Sequence, residues 1–122
     1  MRALIVDDSR ATRAVLRRLL HGLSFDGIAE AGDGRQALEE LSANGPADVA
    51  LVDWNMPVMD GLEFVSRVRS DTANDVMRIV MVTTEADADH MVSALEAGAD
   101  EYAMKPFTAA VIRDKLALLG VV

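Results

Sequence analysis

The sequence predicts an α/β fold: a mostly parallel five-stranded sheet with helices on both faces. Three observations carry that expectation. Five short apolar runs alternate with helix-patterned segments along the whole chain. Most of those runs are near-continuous in branched apolar residues, as strands buried on both faces are. Each is followed by a segment long enough for the right-handed crossover that parallel strands need.

The first strand is "RALIVD" (2–7), a branched run ending in acid, and "SRATRAVLRRLLHGL" (9–23) follows with apolar residues at Val15, Leu16, Leu19, Leu20 and Leu23. That spacing is helical. "GIAEA" (27–31) alternates as a weaker second strand. "DGRQALEELSANG" (33–45) then sets Ala37, Leu38 and Leu41 on one face, with Gly45 and Pro46 closing the helix. "ADVALVD" (47–53), "MRIVMVT" (77–83) and "EYAM" (101–104) are three further strands. Helical stretches at "LEFVSRVRS" (62–70) and "ADHMVSALEAG" (88–98) separate them, and "TAAVIRDKLALLG" (108–120) is the last helix.

The 122 residues fit one domain spanning 1–122, with a single core. No charged segment leads into an apolar one at the N-terminus, and apolar runs such as "IVMV" (79–82) are far short of a membrane span. A cytoplasmic protein without membrane contact is expected. Absence of cysteine excludes disulfides and thiolate zinc sites, so chemistry falls to oxygen and nitrogen groups. Twenty acidic against twelve basic residues, a net charge of −8, argue against a nucleic-acid footprint. The seven Met residues are expected to fill core gaps. His21 and His90 have no metal-ligand spacing and are expected to face solvent. Gly32 and Gly34 in "AGDGRQA" lack the spacing of a dinucleotide loop, so no organic cofactor is expected.

In a doubly wound sheet, functional groups gather beyond the carboxyl ends of the strands, where strand order reverses. Here the first strand closes with Asp7 and Asp8, the third with Asp53 and the fourth with Thr83 and Thr84; Lys105 and Pro106 follow the fifth. Each has an ordinary reading. Asp8 or Ser9 could cap the first helix, Thr83 could merely end a strand, Lys105 could be a solvated lysine and Pro106 a first helical residue. Together they pose a physical problem, because three carboxylates within a few ångströms repel one another unless a cation joins them. Mg²⁺ suits such oxygen ligands together with water and a phosphate. Asp53 could then serve as a nucleophile toward a phosphoryl group, with the Lys105 ammonium and the Thr83 hydroxyl on its oxygens.

At these residues the sequence resembles the receiver domain of two-component response regulators, and especially the single-domain chemotaxis type. The matching stretches are "IVDDS" (5–9), "LVDWNMPVMDG" (51–61), "VTTEA" (82–86), "AGADEY" (97–102) and "MKPF" (104–107). The resemblance implies a flavodoxin-like (βα)5 doubly wound fold with strand order 2-1-3-4-5. It implies that Asp53 is the phosphoacceptor, and that Asp8, Asp53 and the backbone carbonyl of Asn55 hold Mg²⁺ while Asp7 acts through water. Thr83 would be the switch hydroxyl, Tyr102 the aromatic that turns inward with it, and Lys105 the phosphoryl-binding cation, joined to Pro106 by a cis peptide. A phosphoryl group adds roughly 1.5–2 negative charges and favours whichever conformer brings Thr83 and Lys105 close. The domain would therefore be a two-state element.

Asn55 and Glu85, each two residues past a site residue, also match the chemotaxis type, and a short-lived phosphoaspartate is expected. The sequence departs from that type at Asp87, Asp89 and Glu96, where a flagellar-motor binder tends to show lysines. The implied partners are a histidine kinase or phosphotransfer domain and a downstream protein on the face of the fourth helix, fifth strand and fifth helix. A non-motor target, or service as a phosphotransfer intermediate, stays open. Another class of function is a Mg²⁺-dependent phosphatase with an aspartyl intermediate, although that class resembles a DxD nucleophile on the first strand. A receiver cut from a transcription factor is disfavoured because no linker follows the last helix, so a stand-alone monomer is expected. A flavin carrier fits poorly, since Asp7 and Asp8 occupy the loop where a cofactor phosphate would need donors.

Overall fold

The computed structural model describes residues 1–85 and 87–122. Strands β1 (Arg2–Val6), β2 (Gly27–Ala31), β3 (Val49–Val52), β4 (Arg78–Thr83) and β5 (Glu101–Met104) form one sheet in the order β2-β1-β3-β4-β5. All neighbours are parallel. Helices α1 (Arg10–Gly22), α2 (Gly34–Asn44), α3 (Gly61–Arg69), α4 (Ala88–Ala97) and α5 (Ala109–Leu118) connect and cover the strands. The α/β doubly wound architecture and the strand order are those expected.

Side chains alternate across a strand, and here the alternation sorts the apolar residues into two cores. Leu4, Val6, Ala50, Val52, Ile79 and Met81 face α2, α3 and α4, where Phe64, Val65 and Val68 are fully buried. Ala3, Ile5, Val49, Leu51, Val80 and Val82 face the other way, onto Leu16 and Leu20 of α1 and Ile112 and Leu116 of α5. A strand buried on both faces has no polar side to show, hence the near-continuous runs.

Every α-helix begins at a side chain that satisfies a free backbone N–H. Ser9, Asp33, Asp60, Asp87 and Thr108 accept from Thr12, Gln36, Glu63, His90 and Val111 respectively. Each such cap contributes on the order of 1 kcal/mol. Ser9 rather than Asp8 caps α1, and Pro106 lies outside α5.

Several local expectations need correction. Val15 is 55% exposed despite its helical spacing, because only the Leu16–Leu20 stripe of α1 meets the sheet. Val15 instead lines a surface groove of about 470 Å³ with Phe107 and Ala109. Strand β3 stops at Val52, which leaves Asp53 just past the ladder. A 3-10 turn at Thr72–Asn74, which apolar periodicity does not signal, precedes β4. Met59, Met77 and Met81 are core residues, but Met1, Met91 and Met104 are exposed. No helix among the described residues is long and apolar enough to cross a membrane.

Candidate functional site

Strands β1 and β3 lie side by side, and the connections leaving their carboxyl ends diverge. The site occupies that edge. Asp7 follows β1 directly and is 1% exposed; its N–H donates to the Ala31 carbonyl at 3.0 Å. Its carboxylate accepts the Ser9 N–H at 2.8 Å and the Lys105 ammonium at 2.8 Å. Asp53 is held by its N–H, which donates to the Val6 carbonyl at 2.8 Å. Its Oδ1 accepts the Trp54 N–H at 2.8 Å, and its Oδ2 lies 3.3 Å from the Lys105 ammonium. Asp8 is exposed, yet Asp7, Asp8 and Asp53 each offer a carboxylate oxygen within 4.8 Å of the others. The three carboxylates do converge.

The loop after β3 is shaped by Gly61. Its N–H donates to the Trp54 carbonyl at 2.8 Å, so the chain folds back over Asp53. A Cβ at this position would run into the Asp53 carbonyl oxygen. The glycine permits that close approach. Gly34 has another use: a Cβ there would press on Met59, and Asp33 before it caps α2.

Burial raises the Asp53 carboxyl above the ordinary carboxylate range, and the charge of Asp7 adds to this, against the opposing pull of Lys105 and the Trp54 N–H. Burial alone would lower Lys105, but its hydrogen bond to Asp7 and the charges of Asp53 and Asp7 outweigh it and hold the ammonium above its usual value. The cation among these carboxylates is thus, in part, the lysine itself. Replacing it strands Asp7. Lys105→Ala is expected to cost about 3 kcal/mol in urea unfolding without divalent ions, the low end for a broken buried pair. Mg²⁺ should restore part of that; an unchanged midpoint would show that the pair carries no stability.

Thr83 is fully buried and its hydroxyl accepts the Glu85 N–H at 3.2 Å. The Tyr102 ring is buried and its hydroxyl donates to the Glu85 backbone carbonyl. Burial first, then the charges of Glu85, Asp87 and Asp53, raise the phenol, so it remains a donor at neutral pH. Asn55 Nδ2 donates to Glu85 Oε1 at 2.5 Å, joining the two positions that match the chemotaxis type two residues past Asp53 and Thr83. The Lys105–Pro106 peptide is cis, as the resemblance implies. Ala86, the last residue of the "VTTEA" stretch, lies outside the described residues.

His90 corrects an expectation. Its ring packs edge-on against Trp54, with centroids 4.8 Å apart at 67°. Its Nδ1 lies 2.8 and 2.7 Å from the two Asp87 oxygens, and its Nε2 is 3.6 Å from Glu85 Oε2. Glu85, Asp87 and His90 form a second cluster of metal-ligand-type side chains beside the first. Its sequence signal was the D-x-x-H spacing, which puts a helix cap and the third helical residue side by side. His21 is exposed, as expected.

The strand order defines a flavodoxin-like, doubly wound α/β domain, and its switch-point edge is acidic. The chain belongs to the response regulator receiver domain family, whose model matches residues 3–117. It is 41% identical over 116 residues to the chemotaxis protein CheY1 of Helicobacter pylori, covering 95% of this chain and 94% of that protein. It is also 41% identical to a chemotaxis protein CheY homolog of Campylobacter jejuni, over 95% of this chain and 89% of that protein. Among solved structures, chemotaxis protein CheY4 of Vibrio cholerae superposes with a TM-score of 0.87 at 32% identity, over 99% of this chain and 98% of that one. A CheY-like receiver domain protein from Methanospirillum hungatei gives 0.87 at 29% identity, over 97% and 91%.

Proposed function

We propose that residues 1–122 act as a receiver domain, cytoplasmic and monomeric, in which Asp53 accepts a phosphoryl group from a histidine kinase or phosphotransfer domain. One observation carries this reading: the Asp53 carboxylate stands at a strand tip, converging with Asp7 and Asp8 and 3.3 Å from the Lys105 ammonium. Three hard oxygen donors in this cluster fit Mg²⁺, which Asp8, Asp53 and the Asn55 carbonyl would hold, with Asp7 reaching it through water. When bound, the ion supplies neutralisation of charge on the transferring group. The chain's own residues do the rest. An Asp53 oxygen forms the bond to phosphorus as the donor's bond to phosphorus breaks, and Lys105 takes a phosphoryl oxygen as a point charge. Thr83, whose hydroxyl accepts the Glu85 N–H, offers its proton to another.

The output surface in this proposal is the α4–β5–α5 face. Met91, Val92, Leu95, Met104 and Val111 are exposed there, in company with Asp87, Asp89 and Glu96. That mixture suits a target with apolar and basic groups. The names of the relatives support a chemotaxis pathway; the acidic rim favours a target other than one that selects lysines.

Trp54 supplies the test, since it follows Asp53 and donates to it. Mg²⁺, then acetyl phosphate, should each change its fluorescence, and the second addition should add one phosphoryl mass to the protein. Folded protein that shows neither change would overturn the proposal.

A further inference from the structure

Glu85 is the meeting point of four groups. Its carboxylate faces Asn55 through one oxygen and His90 through the other, its N–H donates to Thr83, and its carbonyl accepts from Tyr102. Three of those contacts come from the phosphorylation site or the residues around it. The fourth, His90, has no assigned part. Its ring is fixed on two sides, by Trp54 on its face or edge and by Asp87 at Nδ1. That leaves Nε2 aimed at the free oxygen of Glu85, 3.6 Å away.

At this separation the His90–Glu85 contact is one of charge rather than a hydrogen bond, so it acts only while the imidazole is protonated. Glu85 is half-exposed, so water competes for its carboxylate. We propose that His90 is a positioning residue for the phosphoryl chemistry of Asp53: as imidazolium it pins the Glu85 carboxylate against Asn55, where Glu85 orients the water that removes the phosphoryl group. This rests on the reading of Asp53 as phosphoacceptor.

The charged groups that face His90 are Asp87 and Asp89 from the first turn of α4 and Glu85 from the preceding loop; the loop after β3 presents Trp54 and Asn55, which do not titrate. The hydrogen bond to Asp87, and then the three acidic charges, raise the imidazole above its ordinary value. A raised histidine is charged below its folded-state titration and loses the charge as pH rises through it. Pinning is therefore present at lower pH and lost on going alkaline.

The experiment follows phosphoryl loss from protein charged with acetyl phosphate, from about pH 6 to about pH 8.5, in the native chain and in His90→Gln and His90→Phe. Gln keeps a donor without charge; Phe keeps a ring on Trp54. The ratio of native to variant rate should be at least about threefold at the acidic end and fall to near one at the alkaline end, and its midpoint should coincide with the His90 titration followed by NMR. A ratio that is flat with pH, one that changes in the opposite direction, or rescue by Phe, which would mark a packing role, overturns the inference. If Asp53 takes up no phosphoryl mass, the underlying reading fails with it; normal uptake with an unaltered pH profile removes the inference alone.

Discussion

Asp53→Asn is expected to take up no phosphoryl group from acetyl phosphate while folding at least as well as the native chain. The amide is near-isosteric but cannot supply the anionic oxygen that bonds to phosphorus. The stability half follows from linkage. Burial first, with Asp7 second, places the folded-state titration of Asp53 above its unfolded value. The folded state therefore holds that proton more tightly, and the carboxylate's contribution to stability declines as pH rises from the unfolded value through the folded one. Above the folded-state titration the full penalty is present, and the substitution removes it. Intact-mass spectrometry and a thermal melt at pH 7 measure both halves. A phosphorylated variant would move the acceptor elsewhere, and a clear fall in melting temperature would mean that Lys105 more than offsets the desolvation.

Gly61→Ala is expected to be the most damaging single-methyl change in the loop above the site. The new Cβ meets the Asp53 carbonyl oxygen, and it also lies 3.0 Å from the Asp53 carbonyl carbon and the Trp54 Cα. All three are backbone atoms, so no flexible side chain can give way. Overpacking of this kind costs about 3 kcal/mol, and because the displaced backbone carries Asp53, phosphoryl uptake should fall as well. Gly22→Ala is the control: beyond its chain neighbours and its own helix backbone, no atom of the described residues lies within 4 Å of its added Cβ, and at the end of α1 alanine should be neutral or favourable. Urea unfolding of the pair tests it. Equal midpoints would show that the loop can rise off Asp53 without loss.

The order of elements was legible because each strand here is buried on both faces and each helix on one, so the two periodicities separate in the chain. The convergence of Asp7, Asp8 and Asp53 was legible for a topological reason: parallel strands point all their carboxyl ends to one edge. Less could be read where contacts depend on loops. The D-x-x-H spacing pairs His90 with Asp87, but nothing local in the sequence foretells the ring of Trp54 or the approach to Glu85. Val15 shares its helix face with Leu19 in sequence, but a helix crossing a sheet buries only a narrow stripe, and Val15 falls outside it. The pairing of Arg69 with Asp100, and its bonds to the Gly98 and Asn74 carbonyls, tie the end of α3 to the α3–β4 and α4–β5 connections with no periodic signature. Lys105 was read as a phosphate ligand; its standing partnership with Asp7 depends on two chain ends meeting, which local pattern does not encode.

Asp7, Asp53 and Thr83 emerge straight from the ladder or its last rung, whereas Asn55 and Glu85 hang from connections and His90 from the first turn of α4, the three meeting through the Glu85 carboxylate. On the proposed chemistry, the edge is a machine with a welded frame and an adjustable timing gear. Changes to the gear then retune how long a signal lasts and leave the frame's rigidity untouched, which gives one architecture access to clocks of very different period.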